Sequence, residues 1–202
     1  IYNSAEMTLE QVIDAIRKAE AAGETTVRLH TGDSSIFGAV REQFDELDKL
    51  GIAYDVCPGV SAFCGAAASL KTEYTLPDVS QTVIITRAPG RTPVPEKQSI
   101  AALAAHQATM CIFLSITMLE TVIAELMAGG YAADTPIAIV QKASWPDQKI
   151  VRGTLATIAE QAAEAKIDRT AMIVVSRCLG ADYELSRLYA PEFSHMFRKA
   201  SR

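Results

Sequence analysis

Short β-branched and apolar runs alternate with amphipathic helical stretches along most of the chain, and this alternation limits the possible folds most severely. It favours parallel strand pairing through right-handed helical crossovers, an α/β architecture. The opening IYNSAEMTLEQ reads as a short strand running into a helix from Leu9 to Ala22, with Thr8 as N-cap and Gly23 as stop. TTVRLHTG, residues 25–32, reads as the next strand, followed by a helix from Ile36 to Leu50 that Gly51 ends. IAYDVCPG, residues 52–59, is a further strand, and SAFCGAAASL a further helix with small residues suited to close packing on a sheet.

Residues 71–82, KTEYTLPDVSQT, contain a proline and break the periodicity. The expected organisation is therefore an N-terminal α/β domain over 1–76 and a C-terminal one over 81–202. Within the second, TVIITR, TMCIFLSI, TPIAIVQKA, QKIVRGTL and AMIVVSRC read as strands. Ser99–His106, Leu119–Met127 and Ile158–Ala165 read as helices. Two of these strands follow one another across the turn SWPD with no helix between, so the second sheet is expected to be mixed. The tail YAPEFSHMFRKASR is basic and expected to be peripheral.

The chain has 202 residues and a formal net charge of −5, which offers nucleic acid no electrostatic attraction. No apolar run reaches the length of a membrane span, and nothing reads as a signal peptide. Cys57, Cys64, Cys111 and Cys178 lack metal-ligand spacing and lie in or beside apolar segments, so they are read as buried thiols in a reducing, cytoplasmic setting.

In open α/β sheets, ligands bind beyond the carboxyl ends of strands, where backbone N–H groups at helix starts are free. Thr31-Gly32-Asp33-Ser34-Ser35 stands at such a place. Asp33 or Ser34 could simply cap the following helix, or the turn could hold a ligand, which Gly32 would allow to approach the backbone. Pro58–Ala68 is a second turn of this kind, where Ser61 either caps a helix or presents its backbone to a ligand. Ser61 is a poor hydrolase nucleophile, because Phe63 fills the last glycine place of G-x-S-x-G. Neither turn carries a Walker lysine or G-x-G-x-x-G. His30, His106 and His195 are scattered, so no protein-bound metal is expected. Arg87, Arg91 and Lys97 cluster on the stretch TRAPGRTPVPEKQ, which reads either as a solvated loop or as a carboxylate-binding one.

Taken in order, VRLHTGDSSIFGA, CPGVSAFCGAAASL, FLSITMLETVIAEL and TPIAIVQKASWPDQKIVRGTL resemble the tetrapyrrole methylases over essentially the whole chain. IYNSAEMTLEQ, TRAPGRTPVPE, ASWPDQKIVRGTL and YAPEFSHMFR resemble the branch that methylates precorrin-4, or its cobalt form, at ring carbon 11 in cobalamin biosynthesis. The resemblance implies two α/β domains with S-adenosylmethionine in a cleft between them, a tetrapyrrole substrate, S-adenosylhomocysteine as product, and a homodimer. Matched motif to motif, it places Thr31, Gly32 and Asp33 on one wall, with Ile36 behind them and Ser61 and Ala62 at the second turn. Leu114, Ala143 and Ala171 match the second domain's donor contacts, and Leu114 stands where relatives often have methionine. Arg87, Arg91 and Lys97 are candidates for the substrate trough, and no catalytic base is assigned.

The family's first strand, glycine- and proline-rich loop, helix and second strand have no counterpart before Ile1, so the first domain is expected to be incomplete and these 202 residues alone inactive. Three other readings stay open. One is a module that binds S-adenosylmethionine or a tetrapyrrole without turnover, another a methylase of a neighbouring precorrin, and the third a phosphate-binding α/β enzyme.

Overall fold

A computed structural model describes residues 1–180 and 184–200, and the chain packs as two compact units, Ile1–Ala62 and Phe63–Arg202. The division falls ahead of the proline-bearing stretch 71–82. The apolar helix that precedes this stretch contributes its buried face to the second unit's core.

In the first unit, α1 (Leu9–Ala21) starts at a reciprocal cap. Thr8 Oγ1 accepts the Gln11 N–H, and Gln11 Oε1 accepts the Thr8 N–H at 2.9 Å. Gly23, at φ 70°, ends it. The second helix, α2, spans Arg41–Leu50 and stops at Gly51, which is also left-handed. It begins five residues later than the periodicity indicates, because residues 34–37 form turns instead. Phe44 stacks on Tyr54 with ring centroids 4.9 Å apart.

Three expected strands are not formed. Ser4–Glu6 is a 3-10 turn capped by Asn3. Residues 25–32 and 52–59 have no ladder partner among the described residues. Val27 and Leu29 are 74% and 82% exposed. A β-branched run becomes a strand only as one side of a hydrogen-bonded ladder, and the run itself does not encode the partner.

The second unit is built on five strands: β1 (Val83–Arg87), β2 (Thr109–Phe113), β3 (Pro136–Gln141), β4 (Lys149–Thr154) and β5 (Ala171–Val175). Their order is β1-β2-β5-β3-β4. Only β1 and β2 run parallel, and every other pair is antiparallel, so the sheet is mixed.

Side chains alternate between its faces. Met110, Ile112, Ile137, Ile139, Ile173 and Val175 pack under α4 (Ile100–Ala104), α5 (Leu119–Ala128) and α6 (Ile158–Glu164). Cys111, Ala138, Val140, Met172 and Val174 pack with Ala66 and Leu70 of α3 (Ala62–Leu70). Each fully buried isoleucine here contributes about 1.5–3 kcal/mol relative to an exposed one.

Cys111 and Cys178 are buried, but Cys57 and Cys64 are exposed. Cys57 sits in the segment that lacks a ladder, and α3 buries Ala66 and Leu70 but leaves Cys64 outside. Burial pushes the Cys111 thiol up to about 12, which leaves it unreactive. Leu185, Tyr189, Met196 and Phe197 of the C-terminal segment are exposed. The last two residues of the expected basic tail lie outside the described ones.

Candidate functional site

Two groups of the sequence-predicted residues are brought together, one in each unit. In the first unit the turns at 31–35 and 58–62 meet backbone to backbone. Asp33 Oδ2 accepts the Gly59 N–H at 2.7 Å. Asp33 Oδ1 accepts the Ser35 N–H at 2.9 Å and the Ser35 hydroxyl. These donors, with the Ser35 hydroxyl the largest, hold the Asp33 carboxyl below the usual carboxylate value.

Glycine is required at both turns. Gly32 is left-handed at φ 67°, and a Cβ there would lie 3.4 Å from Ala62 N and 3.5 Å from Ser61 Cα. A Cβ on Gly59 would lie 2.1 Å from the Gly32 carbonyl oxygen. Gly32 thus stands against Ser61 and Ala62, and Asp33 against Gly59, with Ser61 buried and Ile36 half-buried. Asp33 caps no helix: its carboxylate closes its own turn and ties it to the next one. Sequence reading placed Ser35 and Gly59 within these two turns but gave neither a role of its own; the proline–glycine pair at 58–59 was the local signal for Gly59.

In the second unit, Leu114, Ala143 and Ala171 gather at one end of the sheet. Arg87 pairs with Phe113 at the ends of β1 and β2. The register Ile112↔Ile173, carried two residues further, sets Leu114 level with Ala171. Ala171 pairs with Gln141, the last residue of β3, and Lys142 N–H bonds the Thr170 carbonyl at 2.9 Å.

This end carries backbone strain. Leu114, Lys142 and Thr170 all have φ near +50°, and Ser144 has φ 70°. Leu114 is 72% exposed despite being an apolar residue at the end of a buried strand. The buried Ser115 fixes its neighbour's position: Ser115 Oγ accepts the Ala88 N–H at 2.8 Å and donates to the Phe113 carbonyl at 2.6 Å. Sequence reading missed Ser115, whose partner is 27 residues away.

The cationic loop resolves into two roles. The Arg87 guanidinium donates to the Thr92 carbonyl and hydroxyl and to the Ala88 and Pro93 carbonyls, at 2.9–3.2 Å. It braces the loop from within. Arg91 and Lys97 are exposed.

The sequence model of the Tetrapyrrole (Corrin/Porphyrin) Methylases matches residues 1–159. The chain is 54% identical to the cobalt-precorrin-4 C(11)-methyltransferase of Methanocaldococcus jannaschii, over 100% of this chain and 78% of that protein. It is 43% identical to the precorrin-4 C(11)-methyltransferase of Pseudomonas aeruginosa, over 98% of this chain and 79% of that one. A crystal structure of a cobalt precorrin-4 methyltransferase superposes with a TM-score of 0.87 at 39% identity, covering 89% of this chain and 75% of that one.

Proposed function

The chain belongs to the tetrapyrrole methylase family, and from that membership we infer that it is an S-adenosylmethionine-dependent methyltransferase acting on precorrin-4, or its cobalt form, at ring carbon 11 in cobalamin biosynthesis. The observation that carries this reading is 54% identity along the entire chain to a relative with that activity.

The donor contacts are assigned to Thr31, Gly32, Asp33, Ile36, Ser61 and Ala62 of the first unit, and to Leu114, Ala143 and Ala171 of the second. Support in the first unit is the glycine-dependent meeting of the two turns. In the second it is the strained, exposed end of the sheet. Gly32, Ser61, Ala62, Ala143 and Ala171 would offer backbone amides and carbonyls beside small side chains, which suit a flat, polar nucleoside.

When bound, S-adenosylmethionine would supply an already activated sulfonium methyl to a nucleophilic ring carbon, held by the residues assigned above. The chain's part is alignment and exclusion of water, worth on the order of 7–11 kcal/mol at best. No general base is assigned. Arg91 and Lys97 are assigned to the substrate's carboxylates, while Arg87 holds the loop that presents them. The family resemblance supports a homodimer in the cytoplasm.

The test is direct. The full-length protein, given donor and precorrin-4 or cobalt-precorrin-4, should add one methyl at carbon 11 and release one S-adenosylhomocysteine per turnover. A methyl at another ring carbon, or none, would refute the reading.

A further inference from the structure

Trp145 is the single tryptophan of the chain and lies in the turn that joins β3 to β4. It is 53% exposed, an unusual place for the largest apolar side chain. The turn that presents it is held from several sides. Lys142 and Ser144, both non-glycine residues in left-handed conformation, bracket Ala143 just before it. Gln148 Oε1 accepts the Ser144 N–H at 2.9 Å and the Ser69 hydroxyl of α3 at 2.7 Å. Trp145 N–H bonds the Lys142 carbonyl at 3.0 Å, and Gln148 N–H bonds the Trp145 carbonyl at 3.1 Å. Lys142 Nζ pairs with Asp147 and lies 5.5 Å from the Trp145 ring centroid. Strained backbone persists only where its surroundings over-determine it, and here the result is an aromatic ring fixed in the open.

Its location suggests what the ring meets. Along the same end of the sheet, β1 and β3 stand three ladder spacings apart, about 14 Å. The cation-bearing loop with Arg91 and Lys97 leaves β1, Leu114 and Ala171 lie at the ends of the two strands between, and Trp145 with Lys142 follows β3. Leu114 and Ala171 are assigned to the donor, so a flat substrate with an apolar ring and an anionic rim would lie beside them, between the cation-bearing loop and the Trp145 turn.

We propose that Trp145 is a stacking platform for the macrocycle of the tetrapyrrole substrate, whose rim carboxylates face Arg91 and Lys97. This rests on the methyltransferase reading above and names a substrate contact outside the donor site. An aromatic face offset-stacked on a planar ring gains affinity beyond the area it buries.

A lone tryptophan makes the test specific. With 5-fluorotryptophan incorporated, the fluorine resonance that disappears in Trp145→Phe belongs to this residue. Adding uroporphyrin III, a stable carboxylated tetrapyrrole, should move that resonance through the macrocycle's ring current, with or without S-adenosylhomocysteine bound. Trp145→Ala should raise KM for the tetrapyrrole about tenfold with unchanged adenosylhomocysteine affinity, and Trp145→Phe should recover most of the loss. A resonance that fails to move when uroporphyrin III is added, or that moves with protein concentration alone, overturns the proposal. So does an unchanged KM in Trp145→Ala. Wild-type methyl transfer is measured alongside. Its absence overturns the methyltransferase reading and this inference with it, whereas transfer with an unmoved resonance overturns the inference alone.

Discussion

The Asp33 carboxylate accepts the Gly59 N–H at 2.7 Å and so joins two turns that lie 26 residues apart in the chain. The same carboxylate closes its own turn through Ser35. One side chain therefore sets the spacing between the backbone segments assigned to the donor. Asp33→Ala should lower S-adenosylhomocysteine affinity by at least about an order of magnitude, since charge-assisted hydrogen bonds are the strong ones. Asp33→Asn, which keeps one acceptor oxygen, should lose less. Calorimetric affinity equal to wild type in Asp33→Ala would remove Asp33 from the donor site.

The pH dependence of this tie follows from the sign of the shift. The folded carboxyl is held below its ordinary value of 3.8, by the Ser35 hydroxyl first and then by the Gly59 and Ser35 N–H groups. Its contribution is complete above the unfolded value and is lost as pH falls through the lower, folded one. Donor affinity should therefore not vary with Asp33 between about pH 5 and about pH 8. A wild-type titration with a step in that window that Asp33→Asn abolishes would contradict the assignment.

Gly59→Ala tests the close approach itself. The added Cβ would sit 2.1 Å from the Gly32 carbonyl oxygen, so the two turns must separate. Overpacking of this kind costs about 1–3 kcal/mol. Thermal unfolding should show a lowered midpoint, and donor affinity should fall in parallel. Gly51→Ala is the contrasting variant: Gly51 is left-handed, and nothing lies within 4 Å of its Cβ position. It should strain the helix end and leave donor affinity alone.

These relationships separate what the sequence discloses from what it hides. The cap of α1 was legible because Thr8, Gln11 and Gly23 act on backbone within a turn or two of themselves. The five strands described in the second unit were legible because their apolar residues serve both faces of one sheet in which each pairs with a neighbour. Residues 25–32 and 52–59 carry the same kind of pattern, yet a pattern reports side-chain preference and says nothing about a ladder partner. The late start of α2 was hidden because Asp33, a good capping residue, engages Ser35 and Gly59 instead. Ser115 and Gln148 were hidden for a related reason, since their partners Ala88 and Ser69 lie 27 and 79 residues away.

Ser115→Ala should reveal how much the strained end of the sheet depends on that hidden contact. The substitution leaves the Ala88 N–H without its buried acceptor and removes a bond to the Phe113 carbonyl. An unsatisfied buried donor costs about 1–3 kcal/mol, which in a chain of this size is a fall of several degrees in Tm. Because Leu114 lies between Phe113 and Ser115, donor affinity should decline as well. A drop in Tm with unchanged affinity would confine Ser115 to a structural role.

The final prediction separates the two arginines of the cationic loop. Arg87 donates to four acceptors on Ala88, Thr92 and Pro93, so its charge holds the loop's path, while Arg91 is exposed at its crest. Arg91→Gln should raise KM for the tetrapyrrole several-fold by removing one carboxylate partner, with unchanged amide hydrogen exchange in residues 88–98. Arg87→Gln should also raise KM, but with faster exchange across those residues, because the loop loses its internal brace. Arg87→Lys should recover only part of the effect, since an ammonium cannot present the planar fork that reaches several acceptors at once. Donor affinity should stay near wild type in all three variants. If Arg87→Gln raised KM while exchange in the loop stayed slow, Arg87 would be contacting the substrate directly, and its assignment as a brace would be wrong.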